Sequence, residues 1–343
     1  MTSSDSHPEE AAQRPSRRMA ASSGPLVTAE GVSRSFRTGG GLLSRRREIK
    51  AVREVDLTVG CGEAVGVVGE SGCGKSTLGR MLLHLLPPTS GRVFFEGQAL
   101  EDLTPAARRT LRARMQMIFQ DPYGSLDPRR RAGEQIADGI VIHRLGDRAA
   151  ARSRATDLLR RVGLDPTHAD RLPHEFSGGQ RQRIAIARAL ATEPEFIVAD
   201  EPVSALDVSV QAQIIALLAE LRSAFGLALL FISHDLHVVR HLCERVVVMY
   251  LGRVVEEGTA ADVFRAPAHP YTRALIAATP SIRARTRKTA LSGELPSPAA
   301  PPSGCVFRTR CPHAIAACAE TVPPLRELAP GRRVACIRDD VVR

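Results

Sequence analysis

A glycine-rich segment between a predicted buried strand and a predicted helix constrains the fold of this chain most. It reads Gly-Glu-Ser-Gly-Cys-Gly-Lys-Ser-Thr over residues 69–77. Glycines let the backbone curl so that successive N–H groups face one anion, and the following helix N-terminus adds positive potential. Lys75 would reach the β- and γ-phosphates of a nucleotide, and the Ser76 hydroxyl would ligate Mg²⁺. We interpret the segment as a P-loop whose nucleotide-binding residues are Gly69, Glu70, Ser71, Gly72, Cys73, Gly74, Lys75, Ser76 and Thr77.

The hydrophobic pattern around the P-loop predicts an α/β fold. Short apolar runs rich in β-branched residues are typical of strands buried on both faces, and helical patterns separate them. This alternation favours a largely parallel sheet. Strands are predicted at residues 26–36, 52–59, 64–68, 196–199, 227–232 and 246–250, and helices at 76–86, 148–162 and 208–223, with residues 104–172 mostly helical.

Two acidic residues, Asp200 and Glu201, follow the predicted strand at residues 196–199. A carboxylate at the end of a strand beside a P-loop holds Mg²⁺ through its water ligands, which suits Asp200. Glu201 would point toward the γ-phosphate and polarise the attacking water. The alternative is a pair of capping acids before the next helix. A P-loop in the same chain favours the magnesium and base interpretation.

A third motif, Phe-Ser-Gly-Gly-Gln, occupies residues 176–180 ahead of a predicted helix. With it, the order of motifs over residues 26–263 resembles the nucleotide-binding subunit of ABC transporters. The resemblance implies a P-loop ABC-type nucleotide-binding domain with a helical signature subdomain at about residues 104–190. Phe176 stands where many relatives have leucine, another apolar residue. The signature residues implied to contact nucleotide are Ser177, Gly178, Gly179 and Gln180.

The same resemblance implies roles for residues that carry little signal alone. Phe36 would stack on adenine, and Asp207 ends a Ser-Ala-Leu-Asp segment that would cross the interface between two ATPase chains. In the family, the signature of one chain closes over the nucleotide of the other in a head-to-tail dimer. Gln120 would also contact the membrane partner. The implied catalytic residues are Lys75, Gln120, Glu201 and His234, and the implied Mg²⁺ ligands are Ser76, Gln120 and Asp200.

Longer segments are similar to the dipeptide and oligopeptide importers, and of the two paired ATPase subunits of these importers the chain is more similar to the F subunit. They are residues 119–128, 200–208, 269–275, 301–305 and 310–312, with an arginine-rich segment before Ala51. This resemblance implies a peripheral protein at the cytoplasmic face of the cell membrane. Its expected partners are a second ATPase in a heterodimer, two membrane permeases and an external peptide-binding protein. Relatives also serve nickel, glutathione and other small solutes. A soluble ABC ATPase acting on ribosomes or nucleic acid, and a redox-sensing regulatory binder, are lower-ranked alternatives.

Four of the seven cysteines lie near the C-terminus, with five, six and seventeen residues between successive ones. Thiolates at four positions suit either Zn²⁺ or an iron–sulfur cluster. The gaps are wider than those of common zinc knuckles, and relatives in this group carry a [4Fe-4S] cluster on such an extension. We therefore expect a cluster, with zinc or no metal as alternatives. The predicted ligands are Cys305, Cys311, Cys318 and Cys336.

Composition and charge complete the sequence-based picture. The chain has 343 residues, of which 43% are hydrophobic, which excludes wholesale disorder. Its best apolar stretch, residues 224–233, is half the length of a membrane-spanning helix, and the N-terminus lacks the apolar core of a signal peptide. Of the net charge of +10, residues 281–343 supply eleven basic and five acidic side chains, a surplus open to nucleic acid, a membrane or solvent. We expect no nucleic-acid partner. We predict a disordered tail (residues 1–24), an ATPase domain (25–263) and a small Cys-rich C-terminal extension without further sheet (264–343).

Overall fold

The computed structural model describes residues 24–38, 47–278 and 293–342. Nearly all of the predicted disordered tail, residues 1–23, lies outside these ranges, as do the glycine- and arginine-rich residues 39–46. The strands are β1 (Val27–Thr38), β2 (Arg47–Val59), β3 (Ala64–Val68), β4 (Ser90–Phe95), β5 (Gln98–Ala99), β6 (Met115–Ile118), β7 (Phe196–Asp200), β8 (Ala228–Ser233), β9 (Arg245–Tyr250), β10 (Arg253–Thr259), β11 (Arg326–Ala329) and β12 (Arg332–Val334). The helices are α1 (Lys75–Leu82), α2 (Pro105–Arg114), α3 (Ala132–Ile142), α4 (Arg148–Arg161), α5 (Gly178–Leu190), α6 (Val208–Phe225), α7 (Leu236–Leu242), α8 (Ala260–Arg265), α9 (Pro270–Ala278), α10 (Ala317–Glu320) and α11 (Asp339–Val342).

The larger of two sheets has eight strands in the order β11-β12-β10-β9-β3-β8-β7-β6. The five strands from β9 to β6 are parallel to one another, and β10, β12 and β11 add to one side in antiparallel fashion. β3, β7 and β8 are buried along their whole length. Their continuous apolar runs are what a strand covered on both faces requires. The α/β fold with a largely parallel central sheet is confirmed.

A second sheet of four strands, in the order β2-β1-β4-β5, is entirely antiparallel. Its buried residues Val27, Val52 and Val93 share one core with Leu78 of α1 and Val67 of β3. This sheet therefore covers the face of the large sheet on which α1 lies. The sequence predicted two of its strands but did not separate them from the parallel sheet.

The opposite face of the large sheet carries the other core. Helices α3, α4 and α5 pack on one another there, and Ile136, Leu158 and Ile184 are buried between them. Tyr271 and Phe307, from the C-terminal part of the chain, belong to the same core. The C-terminal part therefore shares its core with the rest of the chain.

Three sequence predictions about elements were wrong. β6 interrupts the segment predicted as mostly helical, because Met115–Ile118 pairs in parallel with β7. The C-terminal part adds to the sheet, because Glu256 of β10 pairs with Val334 of β12. α1 ends at Leu82, four residues early, because His84 adopts a left-handed backbone conformation with φ = 50°, which terminates a helix.

One helix in the described part of the chain, α6, is long and apolar enough to cross a membrane by length and composition alone. One face of it contacts the core through Ile214, Leu217, Leu218 and Leu221. A core helix commonly passes this test, so the finding is weak evidence for a membrane span.

Candidate functional site

The predicted site residues follow the carboxyl ends of four parallel strands. The P-loop follows β3, Gln120 follows β6, Glu201 follows β7 and His234 follows β8. Parallel strands end at one edge of the sheet, and ligands of such sheets bind outside that edge. The fold therefore brings together residues that are more than 150 positions apart in the sequence.

The P-loop backbone takes conformations and approaches that only glycine allows. Gly69 and Gly74 have φ values of 152° and 106°. A Cβ on Gly69 would lie 2.2 Å from the Met249 carbonyl oxygen, and one on Gly74 would lie 2.2 Å from that of Ala51. Gly74 is also the N-cap of α1, where no side chain accepts a helix N–H. The first N–H groups of α1 are thus directed at a place where an anion fits.

Lys75 is the first residue of α1 and is only 4% exposed. Its ammonium donates to the carbonyl oxygens of Gly69, at 2.8 Å, and of Glu70, at 3.0 Å. The Glu201 carboxylate lies 4.0 Å away. The side chain is therefore folded back over its own loop, at the position where it can exchange carbonyl partners for phosphate oxygens.

Ser76 and Asp200 meet across the sheet edge and form an oxygen-rich pair. The Ser76 hydroxyl donates to Asp200 Oδ1 at 2.6 Å, and Asp200 is 2% exposed. Burial raises the pKa of Asp200, and the bond from Ser76 partly offsets this rise. A hydroxyl and a carboxylate are the hard oxygen donors that Mg²⁺ prefers. The donor set of these two residues therefore fits the predicted magnesium site.

Glu201 lies at the centre of the predicted catalytic residues. Its Oε2 is 3.3 Å from Nε2 of Gln120, which donates to it, and 3.2 Å from Nδ1 of His234. Its backbone N–H donates to the Ile232 carbonyl at 2.9 Å. The structure thus joins all four predicted catalytic residues, Lys75 included, around one carboxylate.

The signature residues lie at the N-terminus of α5. Ser177 and Gln180 cap the helix reciprocally: Ser177 Oγ accepts from the Gln180 N–H, and Gln180 Oε1 accepts from the Ser177 N–H. A Cβ on Gly179 would lie 2.5 Å from Val210 Cγ1 of α6, so only glycine fits there. Within residues 24–38, 47–278 and 293–342, no hydrogen bond joins this segment to the P-loop. Ser177 is exposed to solvent.

Two further predicted residues lie outside these contacts. Asp207 is the N-cap of α6, where its side chain makes no capping bond. Phe36 lies on β1 opposite Ile49, with the Arg34 guanidinium 5.1 Å from its ring centroid. Adenine stacking by Phe36 and an interface role for Asp207 stay predictions.

Sequence reasoning missed two residues that contact the P-loop from the C-terminal part of the chain. Tyr271 Oη accepts a hydrogen bond from the Glu70 N–H at 2.8 Å. Arg310 forms a two-bond ion pair with the Glu70 carboxylate, at 2.7 and 3.0 Å. Both residues lie in segments that resemble the importers, but no local pattern links them to Glu70.

The four C-terminal cysteines line one small pocket together with His269 and Phe307. Burial, together with the neighbouring thiols of Cys318, Cys311 and Cys336, raises the pKa of Cys305 to about 11, against a partial offset from the Phe307 N–H. Among the described residues, however, no group of three or more His, Cys, Asp or Glu side chains is arranged to hold a metal ion. The thiols share a pocket without forming a ligand set, so the metal site stays a prediction.

Comparison with known proteins identifies two family regions. Residues 52–204 match the model of the ABC transporter family. Residues 255–318 match the C-terminal region of the oligopeptide/dipeptide transporters. The first match contains the P-loop, the signature and Glu201, and the second contains Tyr271, Arg310 and three of the four C-terminal cysteines.

Related chains agree with these matches over almost their whole length. A Brucella ovis protein with the words peptide import ATP-binding protein in its name is 52% identical over 319 residues, which span 92% of this chain and 99% of that one. The oligopeptide transport ATP-binding protein AppF of Bacillus subtilis is 48% identical over 92% of this chain and 98% of its own. A dimeric ATP-binding cassette, MJ0796, solved in a post-hydrolysis state with ADP and Pi, is 31% identical with a TM-score of 0.61, and covers 68% of this chain and 99% of its own. The chain therefore belongs to the ABC transporter family, as an ATP-hydrolysing cassette with the C-terminal region of the oligopeptide/dipeptide transporters.

Proposed function

We propose that this chain hydrolyses ATP to drive a membrane importer of dipeptides or oligopeptides. The convergence of Lys75, Gln120 and His234 on the Glu201 carboxylate is the observation that carries the hydrolytic role. The names of the relatives and the match at residues 255–318 support a peptide as the cargo. Nickel, glutathione or another small solute is the alternative cargo for the same ATPase.

Different residues of the site have different roles in phosphoryl transfer. The N–H groups of the P-loop and the Lys75 ammonium bind the phosphates and stabilise the charge that develops on them. Glu201 orients the attacking water and accepts its proton, and His234, bonded to the same carboxylate, faces the γ-phosphate. Ser76 and Asp200 would hold Mg²⁺, with Gln120 as a further ligand, and the metal would neutralise charge on the β- and γ-phosphates.

A second ATPase chain completes the site in this proposal. Ser177 is exposed and has no bond to the P-loop of its own chain among the described residues. A related cassette is dimeric in its solved structure. We infer that the signature of a partner ATPase covers the nucleotide held by residues 69–77, and that the partner is the paired, non-identical subunit.

Exposed apolar side chains support a docking surface for the permeases. Half of the ten large exposed hydrophobic residues of the described chain lie in the segment that begins beside Gln120 and ends after α3. Exposed apolar side chains are candidates for protein contacts, and these five share one stretch of the sequence. We infer that two permeases dock here, which places the chain at the cytoplasmic face of the membrane. The five residues are Phe119, Tyr123, Val141, Ile142 and Leu145.

Ion pairs within the basic C-terminal part favour a transport role over nucleic-acid binding. Four of its described arginines are paired with acids of the same chain, and two of these pairs are Arg332 with Glu256 and Arg333 with Glu257. Arg326 pairs with Asp339, and Arg338 with Asp340. Arginines already paired with carboxylates are poor phosphate contacts, so we propose no nucleic-acid partner.

The test is peptide-stimulated turnover in the assembled transporter. We would reconstitute the chain with its partner ATPase and permeases in vesicles and add the peptide-binding protein, loaded with di- and oligopeptides, nickel or glutathione. We expect peptides to raise ATP hydrolysis several-fold and to accumulate in the compartment that holds the ATPases. If only nickel or glutathione stimulates hydrolysis, that solute and not a peptide is the cargo. Full turnover without permeases would contradict the transport role.

We also propose that the four C-terminal cysteines bind one [4Fe-4S] cluster. Their side chains line one pocket, and thiolate ligands suit iron–sulfur chemistry. Anaerobic purification of the full chain should yield about four iron and four sulfide per chain and a visible absorption band. Stoichiometric zinc without iron would show that the four cysteines form a structural zinc site and not an iron–sulfur cluster. Absence of both metals would contradict a metal site.

A further inference from the structure

We propose that Arg310 and Tyr271, which lie far from the P-loop in sequence, position that loop by holding Glu70. They contact the loop at Glu70 and act through it, so they are positioning residues. The inference rests on the ATP-binding role of residues 69–77 and is independent of the transported solute.

Glu70 is held at each of its polar groups. Its N–H donates to Tyr271 Oη at 2.8 Å, and its carboxylate accepts from both terminal nitrogens of Arg310. Its carbonyl oxygen accepts from Lys75 Nζ at 3.0 Å. The residue that Arg310 and Tyr271 fix is therefore one of the two acceptors of the phosphate-binding ammonium.

The ion pair between Arg310 and Glu70 is largely shielded from solvent, so its loss should affect the loop. The Arg310 side chain is 5% exposed and that of Glu70 is 23% exposed. Arg310 Nη1 also donates to Tyr250 Oη at 3.3 Å, at the end of β9. A two-bond arginine–carboxylate pair has fixed geometry, and removing one partner leaves the other charge buried and uncompensated. Loss of Arg310 should therefore displace Glu70.

The side chains behind the pair are packed, which makes it a rigid support. The rings of Tyr250 and Tyr271 lie 4.7 Å apart, and Phe307 contacts both, at 5.3 and 5.4 Å. Tyr250, Tyr271 and Phe307 are almost fully buried. Glu70 is thus tied to a close-packed aromatic cluster, which resists displacement.

A merely structural pair would fasten the C-terminal part to the domain and leave nucleotide affinity unchanged. A positioning pair changes affinity, because a loop that spends less time in the binding-competent conformation binds ATP more weakly in proportion. The maximal turnover of the assembled complex changes little, because at saturation bound ATP holds the loop, Lys75 included, in the binding-competent conformation. A higher KM with an unchanged kcat therefore indicates a positioning pair, and an unchanged KM indicates a merely structural one.

The experiment measures the MgATP affinity of full-length variants by fluorescence titration, and KM and kcat in the assembled transporter. We expect Arg310→Met to weaken ATP binding about tenfold, with kcat within twofold of wild type, and Arg310→Lys to restore part of the loss. The matched control is Arg308→Met, because within the described part of the chain the Arg308 side chain donates hydrogen bonds only to Ser303 of its own loop. It should bind ATP like wild type.

A double-mutant cycle tests whether Arg310 acts through Glu70. Arg310→Met combined with Glu70→Gln should bind ATP no more weakly than the weaker of the two single variants. Wild-type affinity in Arg310→Met, or effects that multiply in the double variant, would overturn the proposal. Should Arg310→Met fail to fold, Tyr271→Phe removes one oxygen only and should weaken ATP binding about threefold; unchanged affinity would overturn the proposal equally. A wild-type chain that binds no ATP would instead refute the ATP-binding role.

Discussion

Glu201 adopts a left-handed backbone conformation, with φ = 47°, at the point where three other predicted catalytic residues reach its carboxylate. This conformation costs an ordinary residue about 1–2 kcal/mol. The bond from its N–H to the Ile232 carbonyl helps to hold it. Backbone strain of this kind occurs at functional sites when the surrounding structure fixes it. In this conformation Glu201 Oε1 lies 4.0 Å from Lys75 Nζ.

We predict that Glu201→Gln binds MgATP with near-wild-type affinity and loses steady-state hydrolysis by a factor of about 10² or more. The amide keeps the size and the contact with Gln120, but it cannot accept the proton of the water. ATP titration and phosphate release in the assembled complex measure the two effects. Near-normal turnover by this variant would remove Glu201 from the role of base.

Residue-level prediction is sharpest where one local segment carries the chemistry. Lys75, Ser76 and Asp200 are predicted from segments of a few residues, and the structure joins Ser76 to Asp200, while their roles stay predictions. Tyr271 and Arg310 were missed because their contacts with Glu70 depend on packing between distant segments. The roles of Gln120 and His234 came from the family resemblance, since a lone glutamine or histidine has no diagnostic pattern.

At the scale of elements, β3 and α7 pack so closely that one position between them admits no side chain. A Cβ on Gly66 would lie 2.3 Å from Val239 Cγ1 and 3.2 Å from Cys243 Sγ. We predict that Gly66→Ala lowers the free energy of unfolding by about 1–3 kcal/mol, because an extra methyl group overpacks the core. Urea denaturation measures it. Gly24→Ala is the control, since nothing lies within 4 Å of that position, and an equal loss there would contradict the packing argument.

The buried ring of His269 makes the free energy of unfolding depend on pH. It is 2% exposed; Nδ1 accepts the Tyr271 N–H near the start of α9, and burial lowers the pKa of the ring from 6.5 to about 3. The unfolded chain therefore binds a proton more readily than the folded one. Stability from this group is present above pH 6.5 and falls with pH below it, by up to about 1.4 kcal/mol per pH unit.

We predict that His269→Asn flattens this slope between about pH 6 and pH 4, whatever its absolute stability, because asparagine can cap the helix without titrating. Thermal or urea unfolding across pH measures the slope. His313→Asn is the control, because His313 is exposed, and it should keep the wild-type slope. An unchanged slope in His269→Asn would refute the assignment.

Strands made of continuous apolar runs were predicted well, and short strands of mixed polar and apolar residues were not. β3, β7, β8 and β9 are continuous apolar runs, and the structure has a strand at each. β11 and β12 are four and three residues long and rich in arginine and glutamate, so their sequences read as loop. They become strands only because β10 offers an open edge to β12.

At the scale of the whole molecule, no hydrogen bond among the described residues joins the phosphate-binding segment of one chain to its own signature segment. Ser177 is exposed, and its hydrogen bonds cap α5. We predict that the isolated chain hydrolyses ATP slowly, and that its specific activity rises with concentration or with added partner ATPase and permeases. A dilution series measures this, with the Glu201→Gln chain as the blank. Full, concentration-independent turnover by the monomer would contradict a shared site.

The ion pair between Glu70 and Arg310 joins residues 240 positions apart. A ribosome adds about 5–20 residues per second, so roughly 10–50 s pass between the synthesis of the two partners. Throughout that interval the Glu70 carboxylate of the nascent chain lacks its arginine partner. β12, which completes the edge of β10, is also made near the end. Translation that stops before residue 310 would therefore release a chain whose nucleotide loop lacks this support, even where the earlier strands and helices have folded.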